Sequence, residues 1–212
     1  MTAAWLCLAS ALFWLSWLLM PGVGVTDTAI IFELVSQRRS EVFASVALQL
    51  VSAAAYAPGT AGLLLAEHAH TSRTLRLGCV LLLIGAMGSA ADAIFHLVAF
   101  EMTAPNVLTP AMIPVMQRLQ GPDLGLLLPM VFAFFAGHGL VAWAWRQKSP
   151  LARRGLQLQA CIPLIIVAGA VARKADLVSG RVVGLAVLAA LSASLALVGL
   201  GVARLRPTAA AP

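Results

Sequence analysis

The sequence predicts an all-α protein, a polytopic membrane helix bundle of about six transmembrane helices, with short interfacial helices in the first and third loops. Three observations carry that expectation. Of 212 residues, 61% are hydrophobic and only 10% are charged, against roughly 25% charged in soluble domains. The apolar residues fall in runs of the length a bilayer requires, about 20 residues each. The charges gather in short clusters between those runs. Six runs and their connections fill the chain, so residues 1–212 read as a single integral membrane domain.

The spans are expected at about 3–20, 42–66, 75–100, 124–145, 156–172 and 182–203. The first begins MTAAWLCLAS, with no Lys or Arg before the apolar run and no A-x-A-like site after it. It therefore reads as a retained span and not a cleaved leader. In the second, Ala57-Pro58-Gly59 is expected to bend the helix, because proline removes a backbone donor and crowds the preceding turn. The third holds the small-residue patch GAMGSAADA, which lets helix backbones approach closely. It is the expected central, most enclosed span. The sixth is almost wholly Ala, Leu, Val, Gly and Ser.

Two loops are more than connectors. TDTAIIFELVSQRRSE opens with a helix cap at Thr26 or Asp27, and its Ile30, Ile31, Phe32, Leu34 and Val35 suit a short interfacial helix. TAPNVLTPAMIPVMQRLQGPD is broken by Pro105, Pro110, Pro114 and Pro122, with residues 111–119 free to form one short surface helix. Both are interfacial padding or, as long loops in compact proteins often are, a functional lid.

The 14 Lys and Arg against 8 Asp and Glu do not mark a nucleic-acid binder. No basic stripe interleaved with aromatics occurs, and loop charges orient membrane helices. With the amino terminus inside, Arg73, Arg76, Arg146, Lys148, Arg153, Arg154, Arg204 and Arg206 lie inside. Arg38, Arg39, Arg118, Arg173, Lys174 and Arg181 lie outside. The loop QKSPLARRG is the strongest single signal. The expected setting is the bacterial inner membrane, with both termini cytoplasmic.

Asp92 is the most informative residue. It falls about nine residues, or roughly 13 Å, from the outer end of span three. A carboxylate at that depth costs at least about 2.5 kcal/mol and is a functional candidate by default. His96 follows at i+4 on the same face. His138, between Gly137 and Gly139 on span four, is expected about 15 to 21 Å from the outer end. An Asp92, His96 and His138 cluster in a polar cavity is therefore one expectation, suited to proton relay, metal binding or polarising a substrate. A buried hydrogen-bonded group that only fixes packing is the other. Glu101 falls on the opposite helical face and is expected to mark the outer boundary.

Glu67, His68 and His70, at the inner end of span two, resemble a partial metal site. They lie at the opposite membrane face from His96, and His68 and His70 do not share a helical face. No metal and no cofactor are expected. Cys7, Cys79 and Cys161 are far apart and are expected to be reduced apolar packers. No C-x-x-C, H-E-x-x-H, G-x-S-x-G or phosphate-loop motif occurs, which leans the reading away from an enzyme. The seven Met, five Trp, four His and three Cys are ordinary membrane composition or, alternatively, the mark of a protein damaged or switched by reactive oxygen.

The stretch from PGVGVTDTAIIFELVSQRRSEVFASVALQL to GLLLAEHAHTSRTLRLG resembles the opening of uncharacterised bacterial six-span membrane proteins, with an Asp-bearing first loop, an Arg-bearing helix start and a Pro-broken second span. That resemblance implies a fold and no activity. The whole layout, in length, span number and Ala/Leu-rich composition, resembles the CarR-type inner-membrane anti-sigma proteins of myxobacterial carotenoid regulation. It implies capture of a cytosolic sigma factor until light-generated oxidant releases it. With almost no tail before span one, such a partner would have to grip inner loops, with Arg146, Lys148, Arg153 and Arg154 as the contact. The alternatives are an intramembrane enzyme or small transporter built on Asp92, His96 and His138, and an accessory subunit of a membrane complex.

Overall fold

The computed structural model describes residues 2–66, 72–121, 125 and 127–205. Among these residues there are helices and no strands: α1 (Thr2–Leu19), α2 (Thr28–Gln37), α3 (Arg39–Ala66), α4 (Arg73–Met102), α5 (Thr109–Gln120), α6 (Leu128–Trp145), α7 (Pro150–Ala160), α8 (Ile162–Lys174) and α9 (Gly180–Arg204). Six stretches are long and apolar enough to cross a membrane: α1, α3, α4, α6, α7 with α8, and α9. The chain is a multi-pass membrane protein.

Side-chain caps set the helix starts. Asp27 accepts from the backbone N–H of Ala29 and Ile30 at the start of α2, Ser149 from that of Ala152 at α7, and Ser179 from that of Val182 at α9. Each satisfies donors that a first turn leaves orphaned. Span two begins at Arg39, three residues before the expected 42, and α3 continues through Pro58. Span four begins at Leu128 and not near 124, because Gly125 and Leu127 belong to a 3₁₀ turn that precedes it.

Span five differs most from expectation. It is not one segment at 156–172 but two helices, with a break at Cys161. Pro163 is the cause: it lacks an N–H and its ring crowds the carbonyl of Gln159. The segment QKSPLARRG is likewise no loop beyond Ser149; Arg153 and Arg154 stand exposed on the first turns of α7.

The spans form a ring in chain order. α1 packs on α3, α3 on α4, α4 on α6, α6 on α7, α7 on α9, and α9 returns to α1. A ring has no central member, which corrects the expectation for span three: 44% of the apolar window of α3 is buried, against 39% for α4. What α4 does supply is a close seam with α6. A Cβ on Gly137 would stand 2.5 Å from the backbone nitrogen of Leu82, and one on Gly85 would collide with the backbone of Phe134. Glycine from both sides lets the two backbones touch, the packing that joins helices in lipid.

α2 and α5 lie across one end of the ring, the capped end. Phe32 of α2 and Met116 of α5 bury against Ala99 of α4. Two arginines tie helix ends there. Arg181 donates to the carbonyls of Leu18, Met20 and Pro21, capping α1 from the start of α9. Arg39 donates to Phe100 O at 2.7 Å and stacks on the Phe100 ring. Both use cations to satisfy carbonyls at a helix C-terminus.

Candidate functional site

α4 carries Asp92 into the ring, where the Gln49 side chain of α3 donates to its Oδ2 at 2.9 Å. Gln49 is buried, and its amide also points at Ser89 Oγ, 3.4 Å away. His96, one turn along α4, places Nδ1 3.6 Å from the same carboxylate oxygen. That is too long for a hydrogen bond, and Nδ1 is a buried atom without a partner. The Trp17 indole of α1 meets the His96 ring edge-on at 5.7 Å between centroids, and its own N–H also has no partner.

Asp92 and Trp17 stand where two cavities meet. One, of about 290 Å³, lies on the ring axis between α1, α3, α4, α6 and α9. Its walls are Phe13, Val131, Phe134, Phe135, Leu188 and Leu191, with Gln49, Ser89 and Asp92 as its polar edge. The second, of about 400 Å³, lies between the ring and α2 and α5. It adds His96, Phe95, Met116, Gln120 and the turn 22–26. Thr26 and Gln120 also line an open polar groove of about 500 Å³ at the capped surface. The three spaces adjoin through shared lining residues, in order from the capped surface past His96 and Asp92 to an apolar chamber within the membrane span. Among the described residues, no Lys or Arg lines any of them.

The mouth of the route is held by Thr28 of α2, which donates to Gln120 Oε1 of α5 at 2.6 Å. The floor is Phe134, whose ring packs on Phe13 and Tyr56.

Of the expected three-residue cluster, Asp92 and His96 come together and His138 does not join them. His138 lies one helical turn beyond Phe134 and lines neither cavity. Its Nδ1 donates to Phe134 O at 2.7 Å, which assigns Nε2 as an acceptor, and Nε2 has no partner. The Tyr56 ring lies 6.0 Å away, and its hydroxyl also has none. The back-bond to Phe134 holds the imidazole against its own helix, and the Phe134 ring separates it from Asp92.

Glu101 is exposed and lines neither Asp92 cavity. Glu67, His68 and His70, with Arg206, lie outside the described residues. Among the described residues, no three His, Cys, Asp or Glu side chains converge. Cys79 is buried and Cys7 half-buried, as small apolar packers would be, but Cys161 is exposed, because it sits at the break that Pro163 imposes.

Four of the basic residues expected as a contact surface lie together at the end opposite α2 and α5. Arg153, Arg154 and Lys148 are exposed. Arg146 is folded back, its guanidinium 3.6 Å over the Trp143 ring and bonded to Trp143 O. Sequence reasoning missed Gln49 and Trp17. The signal for Gln49 was present, since it is the single amide within the apolar run VALQLVSA.

The chain matches no family model, and neither a curated protein nor a solved structure matches it.

Proposed function

We propose that this protein is a small-molecule receptor or carrier whose binding site lies inside the membrane, with the polar end of its ligand held at Asp92. The observation that carries the reading is the position of that carboxylate where the apolar chamber meets the cavity beneath α2 and α5, with Gln49 and Ser89 on one side of it and His96 on the other. An ionisable group within a span is costly and marks function by default, and pockets with apolar walls and a few convergent polar groups are where ligands bind. The chamber, at about 290 Å³, is about twice the roughly 150 Å³ that admits benzene. It has room for an eight-carbon molecule.

The test is thermal unfolding of the detergent-purified protein with octylamine or octanol. Saturable stabilisation by at least one is expected, and its loss in Asp92→Leu with the variant still monodisperse. No stabilisation by either, or an undiminished response in Asp92→Leu, defeats the reading.

A second reading has an observation of its own. At the end opposite α2 and α5, Arg73, Arg76, Arg146, Lys148, Arg153, Arg154 and Arg204 gather with no Asp or Glu among the described residues. That end suits the cytoplasmic side of a bacterial inner membrane, with both termini there, and it suits an acidic cytosolic partner such as a sigma factor held in anti-sigma fashion. Co-purification of a sigma factor, lost in an Arg153→Glu, Arg154→Glu variant, would support it. Unchanged recovery in that variant would remove it.

A further inference from the structure

The ring is tight everywhere except along one side of α6. On its α4 side α6 makes a backbone-to-backbone seam through Gly85 and Gly137. On its other side it meets α9 and α7 over a much smaller area. The cause lies in span five. α7 bridges α6 and α9 over one half of the membrane, but after the Cys161 break α8 packs on α9 and α7 and makes no comparable contact with α6. Gln159 marks the upper limit of the bridge: its amide donates to Phe135 O of α6 at 2.8 Å, and Ser194 Oγ of α9 lies 3.4 Å from its Oε1. Toward the capped end from that tie, Leu128 and Val131 of α6 and Leu188 and Leu191 of α9 line the chamber.

The apolar chamber sits at that height. Leu128 and Val131, which line it from α6, are 55% and 46% exposed, whereas Phe134 and Leu191 in the same wall are buried. Exposed side chains in the wall of a chamber mark the side on which it opens to the exterior. In a multi-pass membrane protein that exterior is lipid.

Resting on the binding reading above, we infer that the ligand is a single-chain cationic amphiphile that enters from the bilayer through a slit between α6 and α9. Charge selects the head. Among the described residues, Asp92 is the one carboxylate lining either cavity, no Lys or Arg accompanies it, and His96 stands beyond hydrogen-bond distance of it. An ammonium group donates to the carboxylate and reaches water through the cavity beneath α2 and α5. Shape selects the tail. An apolar chain fills the chamber from Asp92 downward, and any excess length leaves through the slit into lipid. Head toward the capped end and tail toward mid-membrane is also the orientation an amphiphile adopts in the adjoining leaflet, so entry requires sliding and no inversion.

The experiment is binding of alkylammonium ions of 8, 12 and 16 carbons to the full chain in lipid nanodiscs, with affinity referred to the concentration in the bilayer. The open slit predicts affinities within about threefold across the series. A tenfold or greater loss at 16 carbons, with the 8-carbon ion still binding, means a sealed chamber and overturns lateral entry while leaving the binding reading intact. Absence of saturable binding at every length overturns both. Hexadecanol and hexadecanoate are expected to bind at least tenfold more weakly than hexadecylammonium, a preference that Asp92→Asn should erase. Equal binding of the fatty acid overturns the cationic assignment.

Discussion

Asp92 with His96 and Tyr56 with His138 are two polar pairs in the same ring, separated by the Phe134 ring, and they are held in opposite ways. The first pair faces open space. Gln49 steadies the carboxylate, and about 290 Å³ and 400 Å³ of cavity adjoin it. The second pair is fully enclosed by rings and leaves Tyr56 Oη and His138 Nε2 unsatisfied. A buried donor or acceptor without a partner costs about 1–3 kcal/mol. Polarity by itself therefore does not identify the site. What distinguishes it is polarity next to unfilled volume, and the helix packing decides where volume is left. Around His138, glycines bring α4 and α6 into contact. Around Asp92, α1, α3, α4, α6 and α9 leave the chamber unfilled.

The largest expected effect comes from forcing volume into the closed part. Gly137→Leu places a side chain where even a Cβ would stand 2.5 Å from Leu82 N and 2.8 Å from its Cα. Backbone on a packed helix cannot yield as a flexible side chain would. Overpacking usually costs about 1–3 kcal/mol and at times more, and this variant is expected at or above that range. Size-exclusion chromatography in detergent should show loss of the monodisperse species. A well-behaved Gly137→Leu would mean that the α4–α6 seam is not close.

The same enlargement in the open part should be tolerated. Val131 borders the chamber and is 46% exposed, so Val131→Phe gains aromatic volume where there is space to take it. Its midpoint of thermal unfolding is expected to fall by no more than the equivalent of about 1 kcal/mol, within the range of tolerated surface or cavity changes. Octylamine binding should drop tenfold or more as the chamber fills. A strongly destabilised Val131→Phe would show that the chamber is not available, and the contrast between the two regions would collapse.

These two substitutions also separate what the sequence disclosed from what it withheld. The six spans were legible because hydropathy and length depend on composition alone. The Asp92–His96 pair was legible because i and i+4 share a helical face. α2 and its Asp27 cap were legible from local chemistry. The meeting with His138 was not. Depth along two antiparallel helices can be counted in residues, but rotation about each axis is set by which small residues allow close approach, and Phe134 turns into the ring where His138 was expected. The Cys161 break had a local signal in Pro163, and its consequence, the small contact of α6 with α9, depends on how α8 packs once the helix is interrupted. Gln49 shows the remaining gap: an amide on a different span becomes the partner of Asp92 only when the ring closes.

A smaller effect probes the enclosed pair directly. Tyr56→Phe removes a buried hydroxyl with no partner and keeps the ring that packs on Phe134 and His138. The thermal midpoint should hold or rise, by up to the equivalent of about 1 kcal/mol, the lower end of the cost of an unmade buried hydrogen bond. Octylamine binding should not change. A clear loss of stability would reveal that the hydroxyl is satisfied after all, and the enclosed pair would then resemble the Asp92 site more than the contrast allows.

The smallest effect lies at the mouth. Thr28 donates to Gln120 across 2.6 Å, joining α2 to α5 at the open polar groove. Thr28→Val keeps the shape of the side chain and removes the donor, at a cost of about 0.5–1.5 kcal/mol for one hydrogen bond. That loss falls on two short helices outside the ring, so the global midpoint should barely move. Amide exchange in α2 and α5 should quicken while exchange in α4 and α6 stays as it was, because local opening draws on local contacts. If α4 and α6 quicken together with α2 and α5, the cap and the ring unfold as one unit, and the route past Gln120 cannot open without disturbing the Asp92 site beneath it.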